Sequence, residues 1–242
     1  MSPRDSRPLR AVPRAVLAAL ATTLLLQVAW QSTQPRPVAR AHALAEPPAV
    51  AALRIASLGE PVPLAQLMTL YLQAFDNQPG ISIPFRDLDY QRVMQWLTTI
   101  LALDPVGQYP LLMASQVYSQ VPDPARTRMM FDFVYQQFLR DPNRRWRWLA
   151  HATIVAKHRL KDPALALAYA REIARLAPAA PGWARQLHIF ILEDMGELES
   201  ATVLLGALLS TGEITDEHEL RFLTDRLHSM QNAEKSTPAT KN

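Results

Sequence analysis

Apolar positions between residues 63 and 230 recur at intervals of three and four, and short polar stops rich in Pro and Gly break the runs. Residues 63–75 (PLAQLMTLYLQAF) predict a helix closed by Asn77, Pro79 and Gly80. The next predicted helix, 89–103, opens at Asp89, a good N-cap residue. It places Val93, Trp96, Leu97, Ile100 and Leu101 on one face. Further helices are expected near 109–120, 124–139, 143–159, 163–176, 181–195, 198–210 and 215–230. Phe131, Val134, Tyr135 and Phe138 form one stripe, and Ala201, Leu204, Leu205, Leu208 and Leu209 another. The segment 81–85 (ISIPF) reads as short and extended, and one such run does not predict a sheet.

The N-terminus has a different pattern. Residues 15–30 (AVLAALATTLLLQVAW) are uncharged, and no charge occurs between Arg14 and Arg36. About 20 helical residues cross a ~30 Å hydrocarbon layer, so residues 15–34 predict a transmembrane anchor. Arg4, Arg7, Arg10 and Arg14 precede it, and the positive-inside rule keeps residues 1–14 cytoplasmic and sends the rest across the membrane. A cleaved signal peptide is the alternative, with small-x-small sites at Ala39-Arg40-Ala41 and Ala41-His42-Ala43. Those sites lie beyond Pro35 and Pro37, far from the apolar run. Residues 35–49 are expected to be a Pro-rich linker, 50–230 the folded domain and 231–242 a disordered tail.

Helix ends recur along the domain. Asp104-Pro105, Asp141-Pro142 and Ala177-Pro178 follow one another at 37 and 36 residues. Two helices per period of that length predict stacked helical hairpins, because one hairpin cannot bury both its faces. Here the chain resembles tetratricopeptide repeats. Gly196-Glu197-Leu198 and Ala201 match that family's turn and the small residue opening its second helix, with Leu205 and Leu208 at its apolar positions. Ala166, twelve residues before Pro178, has the same small-residue-to-Pro spacing. The departures are Met130 at the equivalent small position before Pro142, first helices without a central Gly, and periods two or three residues longer than the family's. The chain is also similar to uncharacterised proteobacterial membrane-anchored proteins with LDY, RRW-x-W and LEDM-x-ELESA runs. The resemblance implies an all-α, helical-hairpin (TPR-like) solenoid behind one N-terminal transmembrane helix. Helix 215–230, with Leu220, Leu223, Leu227 and Met230 on one face, reads as its terminal cap.

Charge then narrows the function classes. The formal net charge is +3, and the first fourteen residues supply all of it. Residues 47–242 hold 19 basic and 20 acidic groups, which disfavours nucleic acid as a partner. Within the domain the charge is segregated. Residues 126–175 carry 11 basic and 4 acidic groups, whereas 193–225 carry 1 basic and 9 acidic. This polarity either orients a charged partner or neutralises itself between neighbouring hairpins. The excess of Arg, 21 against 4 Lys, points to a GC-rich bacterial genome and hence to the inner membrane, with the domain in the periplasm.

Candidate chemistry is sparse. No Cys is present, which excludes disulfides, thiolate catalysis and Cys-type zinc sites. His151 and His158 share a helix face seven residues apart, not at the chelating i,i+4 spacing. Glu193, Asp194, Glu197 and Glu199 flank a turn, where acids suit a helix start. No phosphate loop, nucleophile elbow or other cofactor motif occurs. The distinctive run is Arg144-Arg145-Trp146-Arg147-Trp148, in which exposed Arg and Trp would grip a partner. The plain reading is that helical alternation puts one Trp in the core and leaves the Arg solvated. The resulting expectation is a non-catalytic, membrane-anchored scaffold that binds another envelope protein. The alternative is a periplasmic glycan-cleaving enzyme with Glu193 as its acid. The sequence leaves the oligomeric state open.

Overall fold

The computed structural model describes residues 12–34, 41–212 and 214–236, and it is helical with little sheet. The basic flank through residue 11, linker residues 35–40 and tail residues 237–242 lie outside the described residues.

The N-terminal helix α1 spans Arg14–Thr33, and none of its residues is buried. It is long and apolar enough to cross a membrane. Its hydroxyls bond within the helix: Thr23 Oγ1 donates to the Ala19 and Leu20 carbonyls, and Thr33 Oγ1 to that of Trp30. Such internal pairing removes most of the cost of polar side chains in hydrocarbon.

Residues from His42 onward form a second unit, apart from the turn at 79–81. The packed chain therefore begins at His42, earlier than the expected start at residue 50. Leu44 is buried, the Trp96 indole donates to the Ala45 carbonyl at 2.8 Å, and Gln78 bonds both backbone groups of His42. These side-chain bonds to an irregular strand leave no periodic trace in a sequence.

The helices that follow are α2 (Val50–Ala56), α3 (Pro61–Ala74), α4 (Tyr90–Leu103), α5 (Tyr109–Leu112) and α6 (Pro124–Arg140). Then come α7 (Pro142–His158), α8 (Pro163–Leu176), α9 (Gly182–Asp194), α10 (Leu198–Ser210) and α11 (Glu217–Ser236). Helix α2 is absent from the sequence expectation, being too short for periodicity to register. Two-residue strands, Asn77–Gln78 and Ile81–Ser82, pair across the turn before α4. Helix α11 runs to Ser236, so residues 231–236, expected to be disordered, extend the last helix.

Asp and Pro set the helix starts. Asp89 and Asp123 each accept from two backbone N–H groups of the following turn, and Asp162 from that of Leu165. Pro124, Pro142 and Pro163 occupy first-turn positions, where a missing N–H costs nothing. The expected helix 109–120 is interrupted. After α5 the backbone widens into a π turn at Met113–Val117 and tightens into a 3₁₀ turn at Tyr118–Gln120. Side chains satisfy the carbonyls there. Arg159 donates to Ser119 O and Val121 O, Thr127 Oγ1 to Ser119 O, and Tyr90 OH to Tyr118 O.

Each helix from α6 onward packs on the next in the chain, burying Phe131, Phe138, Leu149, Ala166, Ile173, Ala201 and Leu205. Several side-chain contacts join residues 33 to 37 positions apart. Gln73 Nε2 donates to Tyr109 OH, and Asn143 Oδ1 accepts from Ala179 N, each pair 36 residues apart. Tyr169 OH meets Asp132, and Lys157 meets Asp194, both at 37 residues. Gln186 meets Glu219, and Arg226 meets Glu193, both at 33. Several segments 33 to 37 residues apart thus lie side by side.

Candidate functional site

The run Arg144–Trp148 forms the first turns of α7, and helical geometry sorts it into two faces. Arg145 and Trp148 point inward, with 4% and 8% of their surface exposed. Arg145 Nη1 donates to the Gln137 carbonyl at 2.7 Å and to Gln137 Oε1 at 3.1 Å, while Nη2 reaches the Pro105 carbonyl at 2.8 Å. Burial pulls its pKa down, and the nearby Asp141 carboxylate opposes that shift. The Trp148 indole donates to Gln108 Oε1 at 2.7 Å. Both side chains clamp α7 to the turn that follows α4, 40 residues earlier in the chain. The plain reading foresaw one buried Trp; it did not foresee a buried Arg beside it.

Arg144 and Arg147 face outward, and Trp146 is partly buried against the core. Arg144 pairs with Asp141 at 2.9 Å, one turn away. Trp146 is partly exposed and meets the edge of Trp183 on α9, with ring centroids 5.6 Å apart at 73°. The Arg147 guanidinium lies 5.9 Å from the Trp146 ring centroid. Trp183 itself is 51% exposed. The sequence reading passed over Trp183, although it stands 37 residues after Trp146, one period along the chain. Together Trp146, Trp183 and Arg147 form an aromatic shelf beside a cation. That arrangement suits a partner's planar or apolar group next to an acidic one.

The other candidates are accounted for within the chain. Glu193 bonds Arg226 at 2.8 and 3.0 Å and so joins α9 to α11. Asp194 pairs with Lys157, which links the basic stretch to the acidic one. In the basic stretch, Arg128 pairs with Asp162 and Arg175 with Glu172. Part of the segregated charge is therefore neutralised locally. His151 is partly buried, its Nε2 has no hydrogen-bond partner, and burial lowers its pKa. Among the described residues no group of three or more His, Cys, Asp or Glu is arranged to hold a metal. A cavity of about 280 Å³ between α9, α10 and the start of α11 is lined by Arg185, Gln186, His188, Leu204, Leu208 and Glu219. Burial depresses the pKa of its His188, whose Nδ1 sits 2.8 Å from the Arg185 carbonyl.

No protein family, curated protein or solved structure matches this chain.

Proposed function

We propose that this chain is a membrane-anchored adaptor whose TPR-like helical-hairpin solenoid, exported to the periplasm of a bacterium, binds another envelope protein without catalysis. The observation that carries the reading is the outward shelf of Trp146, Trp183 and Arg147, built by two successive hairpins. Exposed Trp and Arg are the residue types that dominate binding energies at protein interfaces. The recurrence of contacts at 33 to 37 residues supports a solenoid, in which such a surface extends over several hairpins. The long apolar α1 supports the anchor. For the glycan-cleaving alternative, Glu193 is engaged by Arg226, and this favours a packing role for that carboxylate.

The test is cross-linking in intact membranes, comparing wild type with Arg147→Glu combined with Trp183→Ala. Both side chains are exposed, so the variant keeps its helical circular dichroism. Arg145 is left unchanged because reversing it would break the fold. The same envelope protein should be recovered with wild type and lost with the variant, the more so at low salt. Equal recovery with the folded variant would refute the shelf as the binding surface.

A further inference from the structure

One side of α7 holds the irregular segment that runs from Pro105 to Val121. Arg145 donates to the Pro105 carbonyl and Trp148 to Gln108 Oε1. Arg159, at the C-cap of α7, donates to the Ser119 and Val121 carbonyls. Between these anchors α7 packs on the π turn Met113–Val117, where His151 meets the Ser115 carbonyl. The segment needs such support, because its π and 3₁₀ turns interrupt the regular helical ladder. It also lies at a joint. Leu111, Met113 and Tyr118 belong to the core built from residues 44–134 and Trp148, whereas Leu149, Ala150 and Ala152 of α7 belong to the next one.

His151 is the weak member of this row. Arg145, Trp148 and Arg159 all make hydrogen bonds, but Nε2 of His151 is closed off from solvent and has no partner. A neutral ring tolerates that, since an unprotonated nitrogen costs far less to bury than a charged N–H without an acceptor. Protonation would create such an N–H. Arg159 is, among the described residues, the charged group that bears on the ring, and its sign is the wrong one. The π turn carries no titratable side chain, and the 3₁₀ turn carries Tyr118, which burial keeps protonated. On α6 and α8 the carboxylates are engaged elsewhere, Asp132 by Tyr169 and Glu172 by Arg175. At the starts of those helices Asp123 pairs with Arg126 and Asp162 with Arg128. The Ser115 carbonyl favours the charged ring, but burial outweighs it and holds the pKa below the ordinary 6.5.

We propose that His151 is an acid-sensitive latch between α7 and residues 109–121, which holds the segment while the ring is neutral and loosens it once the ring is protonated. The latch is separate from the Trp146–Trp183 shelf and does not rest on the adaptor reading.

The direction follows from linkage. The closed contact excludes a proton from His151, whereas the loosened state binds one with the ordinary pKa of 6.5. The contact is therefore at full strength above that value and weakens as pH falls below it. Hydrogen–deuterium exchange of the full-length protein in detergent, corrected for the intrinsic pH dependence of exchange, reads this opening. Opening of residues 109–121 should rise about tenfold between about pH 7.5 and pH 5.5, the ratio expected when the loosened state alone titrates, at 6.5. His151→Phe and His151→Gln, which do not titrate, should show no such rise; two replacements of different size guard against a packing defect in either. Residues 182–192 hold His188, whose pKa burial also depresses, so any acid response there should be the same in wild type and both variants. A wild-type segment 109–121 that opens equally at both pH values would overturn the proposal. So would a folded His151 variant that keeps the rise.

Discussion

Arg144 and Arg145 are chemically identical neighbours to which the structure gives opposite weights, and truncating each in turn tests that assignment. Arg145→Ala removes a buried guanidinium that donates three hydrogen bonds. One of its acceptors, the Gln137 carbonyl, lies at the end of α6, where the Asp141 N–H turns to Phe138 O. Hydrogen bonds to a charged group contribute about 1.5–3 kcal/mol each, and removing one partner of a buried charged cluster costs about 3–5 kcal/mol in all. The smaller total applies here because truncation also relieves the cost of burying the guanidinium, whose Nε has no partner. Arg144→Ala removes one half-exposed ion pair to Asp141, worth ~0–1 kcal/mol. For a unit of this size each kcal/mol moves Tm by about 2–4 °C. Thermal unfolding followed by circular dichroism should therefore show Arg145→Ala melting about 10 °C below wild type, with Arg144→Ala within about 3 °C of it. Equal losses for the two variants would refute the assignment of a clamp to Arg145. So would a stable Arg145→Ala protein.

Ala201 is fully buried where α10 packs against its neighbours, so Ala201→Trp should overpack that contact, cost at least ~1–3 kcal/mol and lower Tm visibly. The Leu165 N–H and the Arg128 guanidinium hold the Asp162 carboxyl below its ordinary pKa of 3.8. Its contribution to stability is therefore present above the unfolded value and lost as pH falls through the folded one. The Tm gap between wild type and Asp162→Asn should accordingly be widest near neutral pH and close in acid; a gap that persists unchanged at low pH would argue against the pairing. Fusing alkaline phosphatase to the C-terminus should give an active enzyme, and a fluorescent protein that matures only in the cytoplasm should stay dark; the reverse pattern contradicts export. N-terminal sequencing that finds a mature chain starting near Ala43–Glu46 would replace the anchor with a cleaved signal and leave export intact.

Local patterns by themselves determined where most helices lie. The cap at Asp89 and the Pro at 142 are read from adjacent residues, because capping and a fixed φ act within one turn. The uncharged N-terminal run was equally legible, since being long and apolar enough to cross a membrane is a matter of length and composition. The near-36-residue recurrence of helix ends has a counterpart in the contact between Asn143 and Ala179, which are 36 residues apart. What the tertiary structure decided is which member of a mixed run is buried. Arg145 lies inward and Arg147 outward because the turn after α4 presents the Pro105 carbonyl to one of them, and that turn is 40 residues away in sequence. The break in the helix expected at 109–120 has the same origin, since Arg159 and Tyr90 supply donors from remote segments. Trp183 joined the candidate site only when α9 came to lie beside α7. Periodicity distinguishes one face of a helix from the other; it does not say which face meets a neighbour, as Leu67 and Leu70, exposed on the outer side of α3, demonstrate.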